Sequence, residues 1–477
     1  MNNTDYDIIV IGAGSGGLAV SLFMAKVGLK TLLIDKSDEH IGGDCLNYGC
    51  VPSKALIHVS RILHKVKKAE VFGYEITGKP DIKKATAYVL AKQDIIRKHE
   101  NAAFLRSEGL DVVLGLASFY GVNSVQVDGK VYFGRKIVLA TGSRPASLKV
   151  PGIELVEQFN NESIFQIDHL PERMLIVGGG PIGVEMGQAL NRLGSKVTIV
   201  HRGDSILPRD EKGVAAILLE KLKEEGIEVH LQAVVKEFSN SREALIAKKS
   251  GSDVRIVFDA VFVAIGRSFN LEELQLGKAG IRTEDNKIKV NHYLQTTNKR
   301  VYTCGDISGS LMLSHAAEQH ARLLLNNFFS PLKKKLNNSH MSWVTFTDPE
   351  VVSFGMSESE LRNRNIGFKK LEMNMNEDDR AIVDDYQFGK LVLYISKGGI
   401  IKKEKILGGS MVTPHAGEMA QELILANMKG LSINDIFNKI YPYPVESRIN
   451  QAIIVKYKES QLTGNLKKLL RWLYRIA

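Results

Sequence analysis

Two cysteines close together are the groups in this chain best suited to chemistry. They lie in Gly42-Gly43-Asp44-Cys45-Leu46-Asn47-Tyr48-Gly49-Cys50-Val51-Pro52-Ser53-Lys54. Pro52 suits the first turn of a helix, which puts Cys50 near a helix N-terminus with the cation of Lys54 nearby. Both features favour thiolate over thiol. A thiolate is the nucleophile of disulfide exchange and a soft ligand for metals. Two buried structural thiols would explain a lone pair of cysteines, but not the whole string. The third cysteine, Cys304, stands apart, and an odd total of 3 does not make a secreted disulfide framework.

The elements that must position these thiols announce themselves by repetition. Ile9-Val10-Ile11-Gly12-Ala13-Gly14-Ser15-Gly16-Gly17 returns as Leu175-Ile176-Val177-Gly178-Gly179-Gly180-Pro181-Ile182-Gly183. Each copy is an apolar strand, a glycine turn and the start of a helical pattern, and each leads to a second strand. The pattern predicts two βαβ units and two dinucleotide sites. In the first, Gly12 permits the tight turn, Gly14 lets backbone approach a pyrophosphate, and Gly17 allows close helix–strand packing. Asp35 ends the next strand, where it can accept a bond from a ribose hydroxyl, and Lys36 follows. In the second, Gly178, Gly180 and Gly183 lead to a strand ending in His201 and Arg202. No acid stands there for a ribose diol. His201 and Arg202, with Arg209 further on, suit a 2′-phosphate, which favours NADPH over NADH. Gly183 pulls the other way.

The chain is long enough, at 477 residues, for about three domains. It is 44% apolar and 24% charged, ordinary globular usage. A net charge of +10 is read as a lysine-rich solvated surface, and no zinc-finger spacing or DNA-reading motif points to nucleic acid. The stretch Met1 to Asp7 is polar and lacks the charged and apolar regions of a leader. No run of 18 apolar residues appears. A reducing cytoplasmic location is the default expectation. Residues 55–108 read mostly as helices and 112–140 as strands. Lysine-rich 330–339 reads as a linker before a separate α+β domain.

With these motifs in place, the chain resembles the pyridine nucleotide–disulfide oxidoreductases of the C-x4-C type, which include lipoamide dehydrogenase, glutathione reductase and mercuric reductase. Ala140-Thr141-Gly142-Ser143-Arg144-Pro145 looks like the family's A-T-G-S-x-P, Ala264-Ile265-Gly266-Arg267 like its A-x-G-R, and Tyr302-Thr303-Cys304-Gly305-Asp306 like its second flavin motif. The resemblance implies an α/β fold: two Rossmann-like dinucleotide-binding domains plus a C-terminal α+β dimerisation domain. Its expected boundaries are 1–147 (FAD-binding, first part), 148–268 (NAD(P)H-binding), 269–338 (FAD-binding or central, second part), 340–460 (dimerisation) and 461–477 (a basic amphipathic helix). It implies a homodimer in which electrons pass from NAD(P)H through FAD to Cys45–Cys50. Cys50 would be the flavin-proximal thiolate and Cys45 the outward thiol that attacks the acceptor. Lys54 resembles the lysine near the flavin, paired with Glu185. Gly12, Gly14, Gly17, Asp35, Lys36, Gly43, Asp44, Thr141, Gly142, Gly266, Arg267 and Asp306 join the cofactor set, with Asp306 on the ribityl chain. Cys304 is read as structural, and no resident metal is expected.

The resemblance breaks in one place. Disulfide-reducing members end in H-P-x-x-x-E, whose His, lent across the dimer interface, protonates the leaving dithiol. The matching stretch here is Tyr441-Pro442-Tyr443-Pro444-Val445-Glu446: Glu446 is present, but Tyr441 takes the place of His. A phenol with pKa near 10 is a poor proton shuttle. A metal ion or small oxidant does not need that proton, and mercuric reductases resemble this chain in having tyrosine there. Against mercuric reductase itself stand the absence of cysteine after Cys304 and of an N-terminal heavy-metal domain. His415 is read as structural rather than as a replacement base.

The tail adds a last feature. Leu466, Leu469, Leu470 and Leu473 fall on one helical face and Lys467, Lys468, Arg471 and Arg475 mainly elsewhere. Such a helix either lies on an anionic membrane, at its inner face, or packs on the protein's own body or dimer mate. Three readings follow: a reductase of a metal ion or small oxidant; lipoamide dehydrogenase or another disulfide reductase; and a membrane-tethered redox sensor whose Cys45–Cys50 state alters a partner.

Overall fold

The computed structural model describes residues 5–75, 77–398 and 403–477. The first four residues of the polar stretch Met1 to Asp7 lie outside them, as do residues 399–402 of the expected C-terminal domain. The chain groups into two compact units. One takes in residues up to Gly178, Glu185–Val200 and Ala233–Asn337; the other takes in Gly179–Val184, His201–Gln232 and Asn338–Ala477. This grouping divides the stretch 148–268, read from sequence as one nucleotide-binding domain, between them.

In the first unit, the apolar run Ile8–Ile11 is buried on both faces, as a central parallel strand requires. Strand Tyr6–Ile11 pairs in parallel with Thr31–Asp35 on one side and Lys130–Leu139 on the other. Asp111–Leu114 extends one edge and Val301–Thr303 the other. Register sets Ile11 opposite Ile34 and Leu139, and Leu139 opposite Thr303. Gly12, Asp35, Ala140 and Cys304 therefore emerge together beyond the carboxyl ends of the strands, where open α/β sheets bind ligands. The helix Ser15–Lys26 follows the first glycine turn.

The second copy repeats the arrangement. Arg173–Val177 lies between Lys196–Val200 and Ala260–Val263, with Val177 opposite Val200 and Val263. The helix Pro181–Arg192 follows its turn. The two turns also share a constraint. Gly12 has φ +104°, and a Cβ there would stand 2.4 Å from the Ala140 carbonyl oxygen; Gly178 has φ +126°, and its Cβ would stand 2.2 Å from the Ala264 oxygen. Only glycine satisfies both conditions. The echo in the sequence is thus an echo in backbone geometry. Short strands Ser143–Pro145 and Arg267–Phe269 pair antiparallel, setting Ser143 opposite Phe269.

The second unit is built on a five-stranded antiparallel sheet in the order Ser342–Thr345, Glu350–Gly355, Ile406–Thr413, Lys390–Ser396, Phe368–Asn374. Val352, Leu391, Leu393 and Met411 bury one core with Leu423, Ile453 and Ile454 of the helices Gln421–Lys429 and Ile449–Ser460. This is the expected α+β character. Within this same unit, Asp210 accepts bonds from Trp343 Nε1 (2.9 Å) and Ser353 Oγ (2.6 Å) of the sheet. Among the described residues, no helix is long and apolar enough to cross a membrane.

Gly178→Ala is expected to cost on the order of 1–3 kcal/mol of stability through the positive φ and the clash with Ala264. Chemical denaturation measures it; an unchanged urea midpoint would mean that the turn relaxes freely.

Candidate active site

The dithiol sits where two helices meet end to end. Gly43–Asn47 forms a short helix carrying Cys45, and Cys50 opens the long helix Cys50–Lys68. Both cysteines are free thiols, Cys45 partly buried and Cys50 exposed. Cys50 Sγ lies 3.3 Å from Ser314 Oγ, on the first residue of the helix Ser314–Phe329. The two thiols do not share their protons equally. The Cys45 S–H bonds the Cys50 sulfur; that bond, Ser314 and the charge of Lys54 outweigh burial and the Asp44 carboxylate, lowering Cys50 to about 6. The same bond, with burial, pushes Cys45 well above an ordinary thiol. The first helical turn adds its dipole to the thiolate at Cys50.

Lys54, one turn along, is fixed by an ion pair. Its Nζ lies 2.9 Å from Glu185 Oε2, and Glu185 is buried. The pairing expected from sequence is present. Asp44 is fixed too. Its carboxylate lies 3.0 Å from Arg267 Nη2 and accepts a bond from Asn161 Nδ2 at 3.3 Å. Arg267 reaches further, with Nε donating to Ser143 Oγ and Nη2 to the Ser143 carbonyl. Ser143 Oγ in turn donates to Asp306. Burial raises Asp306, against the pull of Ser143 and Arg267. Gly305, just before it, donates its N–H to Nδ1 of the fully buried His320.

At the other end of the sheet edge, Asp35 accepts the Ala13 N–H at 2.6 Å and the Lys36 N–H at 2.7 Å, while Lys36 points its charge to solvent. Gly14 and Gly43 meet backbone to backbone: a Cβ on Gly43 would stand 2.6 Å from Gly14 Cα. Thr141 donates to the Asn270 carbonyl, and nothing crowds Gly142. Gly17 packs against the turn, its Cβ position 1.9 Å from the Gly12 oxygen. A flavin dinucleotide fits these residues. Side-chain-free turns could offer N–H groups to its pyrophosphate, Asp35 would meet a ribose, and Asp306 and Lys54 would supply polar groups to it. Cys304 stays out of it. It is buried, and a Cβ on Gly16 would strike its sulfur at 2.6 Å.

At the second turn, nothing crowds Gly180, Gly183 is buried within the helix, and Gly178 makes the close approach already described; nothing crowds Gly266 either. His201 is not the cation read from sequence. Its Nδ1 accepts the Gly179 N–H at 3.1 Å, its Nε2 is buried with no hydrogen-bond partner among the described residues, and burial with the neighbouring Arg202 charge lowers its pKa. It braces the turn as a neutral ring. Arg202 and Arg209 are exposed.

In the second unit, Tyr441 and Glu446 do not pair. Tyr441 donates its hydroxyl to Glu422 Oε1 at 2.5 Å, and burial together with that carboxylate pushes the phenol far up. Glu446 instead holds Nδ1 of His415 at 2.9 Å. His415 is about half exposed, its side chain 54% accessible. The structural reading of His415 overlooked this partner. Ser143 entered only as part of the A-T-G-S-x-P motif, without a role, and Ser314 and His320 were missed. Of these two, His320 left a trace, on a helical face with Ala316, Ala317, Ala321 and Leu324. Among the described residues, no cluster of three His, Cys, Asp or Glu could hold a metal ion.

Two dinucleotide-type glycine turns in the chain, and a dithiol with one acidified sulfur, define a nucleotide-dependent redox enzyme. The comparisons make the assignment specific. The pyridine nucleotide-disulphide oxidoreductase pattern matches residues 6–321, and the dimerisation domain of the same family matches residues 341–453. The chain belongs to the pyridine nucleotide-disulphide oxidoreductases, flavoenzymes that use FAD and NAD(P)H. It is 32% identical over 451 residues to a dihydrolipoyl dehydrogenase of Thermus scotoductus, covering 93% of this chain and 95% of that one. It is 27% identical over 445 residues to a mercuric reductase of Staphylococcus aureus, covering 92% and 80%. In fold it matches the HOCl-induced flavoprotein disulfide reductase RclA of Escherichia coli, with TM-score 0.81 and 24% identity over 94% of this chain and 98% of that one. The dimerisation domain supports a homodimer.

The lowered Cys50 pKa sets a pH dependence. Its thiolate is present above about 6 and is lost as pH falls below that value. In the reduced enzyme, iodoacetamide should alkylate Cys50 with a midpoint near 6, and Lys54→Met should move the midpoint upward. A midpoint in the ordinary thiol range would mean that the Cys45 bond does not form in solution.

Proposed function

We propose that this flavoenzyme passes two electrons from NADPH through Cys45 and Cys50 to a thiol-reactive acceptor, a metal ion or a small oxidant. A bound flavin supplies the hydride chemistry between nicotinamide and sulfur. The chain's own residues do the rest. Cys50, held as thiolate by the Cys45 S–H and Lys54, faces the cofactor; Cys45 attacks outward. The Cys45 thiol and the Cys50 thiolate become one disulfide, giving two electrons to the acceptor and one proton to water, and a hydride equivalent from NADPH returns them to thiol and thiolate. Glu185 keeps Lys54 in place, and Asp44, Arg267, Ser143 and Asp306 form the polar chain that seats the cofactor. Gly12, Gly14, Gly17, Gly43, Asp35, Lys36, Thr141 and Gly142 complete that seat.

The observation that carries the choice of acceptor is Tyr441 committed to Glu422. A phenol pushed up in this way cannot protonate a leaving thiolate at neutral pH. A metal ion instead displaces the Cys45 proton to water and takes both sulfurs, so it needs no proton donor. The Cu(II) complex reported for RclA belongs to that protein, but it is chemistry of the same class. Anaerobic reduction by NADPH followed by Hg(II), Cu(II), quinones, lipoamide and glutathione disulfide tests the reading. Metal ions or small oxidants should turn over fastest. Cys45→Ser should abolish acceptor turnover and leave flavin reduction intact; rapid acceptor turnover by that variant would defeat the dithiol route.

NADPH preference rests on Arg202 and Arg209, with Gly178, Gly180, Gly183 and Gly266 shaping the nucleotide turn. A charge-assisted bond contributes about 1.5–3 kcal/mol, so Arg202→Ala should raise the KM for NADPH by roughly tenfold or more and barely change that for NADH. Equal effects on both would remove the 2′-phosphate from the argument.

A second reading, reduction of a small disulfide, is favoured by His415 and Glu446. An imidazole oriented by a carboxylate is a competent proton carrier. If that reading holds, His415→Gln should slow disulfide turnover by about a hundredfold while leaving metal-ion turnover alone. Unchanged disulfide turnover would dismiss it.

A further inference from the structure

The helix Gly464–Ile476 lies beyond the matched dimerisation region, which ends at residue 453. Thr463 caps it, its side chain accepting the Leu466 N–H, and no residue of the helix is buried. At about 100° per residue, Leu466, Leu469, Leu470, Leu473 and Ile476 share one face. Lys467, Lys468, Arg471 and Arg475 occupy the opposite face. Trp472 and Tyr474 fall on the two seams between them, 57% and 87% exposed. The segment carries these 4 cations and no acidic residue.

These two faces ask for different surroundings at once. The leucine stripe gains by leaving water, while four like charges on the reverse side need a dense anionic layer or free water. The aromatic rings on the seams need an environment apolar on one side and wet on the other. A bilayer surface with anionic headgroups provides all three: acyl chains for the leucines, headgroup level for Trp472 and Tyr474, and negative potential for the cations. The 4 cations spread along its 13 residues bar it from the hydrocarbon core, so it lies along the surface rather than across it. We propose that Gly464–Ile476 docks this enzyme peripherally on an anionic lipid bilayer. A homodimer brings two such helices, which strengthens a weak single contact where both engage.

The inference stands apart from the choice of electron acceptor, and its test does not use one. Full-length, flavin-loaded enzyme is sedimented with vesicles of phosphatidylcholine alone and of phosphatidylcholine with phosphatidylglycerol, at low and high salt. Pelleting should be at least about tenfold greater with the anionic vesicles and should fall with added salt, because the cations contribute through charge. Leu469→Glu/Leu473→Glu should lose that pelleting by about tenfold or more, with NADPH-dependent flavin reduction and elution volume unchanged. Truncation after Thr463 should do the same. Equal pelleting of the wild type and these variants would overturn the proposal. So would a change of oligomeric mass in the variants with no vesicle binding by the wild type, which would assign the apolar face to a second copy of the chain.

Discussion

One hydrogen bond, from the Cys45 thiol to the Cys50 sulfur, divides two chemically identical groups into a donor and a thiolate. Ser314 and Lys54 reinforce the thiolate at Cys50. The helix beginning at Cys50 turns its positive end to the sulfur, and Lys54 adds a full charge held in register by buried Glu185. Asp44 works against the thiolate, yet its carboxylate is engaged by Arg267, which limits how far that negative charge reaches. Without Arg267, the acid beside the cysteines would oppose the state the chemistry uses.

The frame that brings these groups together is the shared end point of parallel strands. Because Ile11, Ile34, Leu139 and Thr303 stand in register, the residues after them arrive at one edge from four distant parts of the chain. Arg267 then ties loops from three of these segments, through Asp44, Ser143 and Asp306. The second nucleotide turn repeats the first down to its glycine–carbonyl contact but differs at the strand end, where Asp35 gives way to His201.

Much of this was legible in the sequence because it is local or periodic. The glycine turns, the strand alternation, the cysteine pair at a helix start and the leucine stripe of the tail are all patterns within a few residues. The Lys54–Glu185 pair spans 131 positions and was readable only through family resemblance. Contacts with neither local pattern nor precedent were not readable. Ser314 meets Cys50 across 264 positions. Glu446 sits five residues after Tyr441, yet chain proximity did not become pairing: Glu422 captured the phenol and His415 captured the carboxylate. His201 misled for a different reason. Its residue type suggested charge, but burial against the glycine turn removed it.

His320 carries one more consequence. Its ring is sealed from water, its Nδ1 accepts the Gly305 N–H, and burial lowers its pKa to about 4. A protonated ring could no longer accept that bond. The unfolded chain takes up this proton near 6.5 and the folded one only near 4, so the loop bearing Asp306 loses support progressively as the solution acidifies through that interval. The thiolate of Cys50 disappears over an overlapping range. Acid therefore weakens the Gly305–Asp306 loop and removes the Cys50 thiolate over overlapping ranges, the first of these through a histidine that touches neither cysteine.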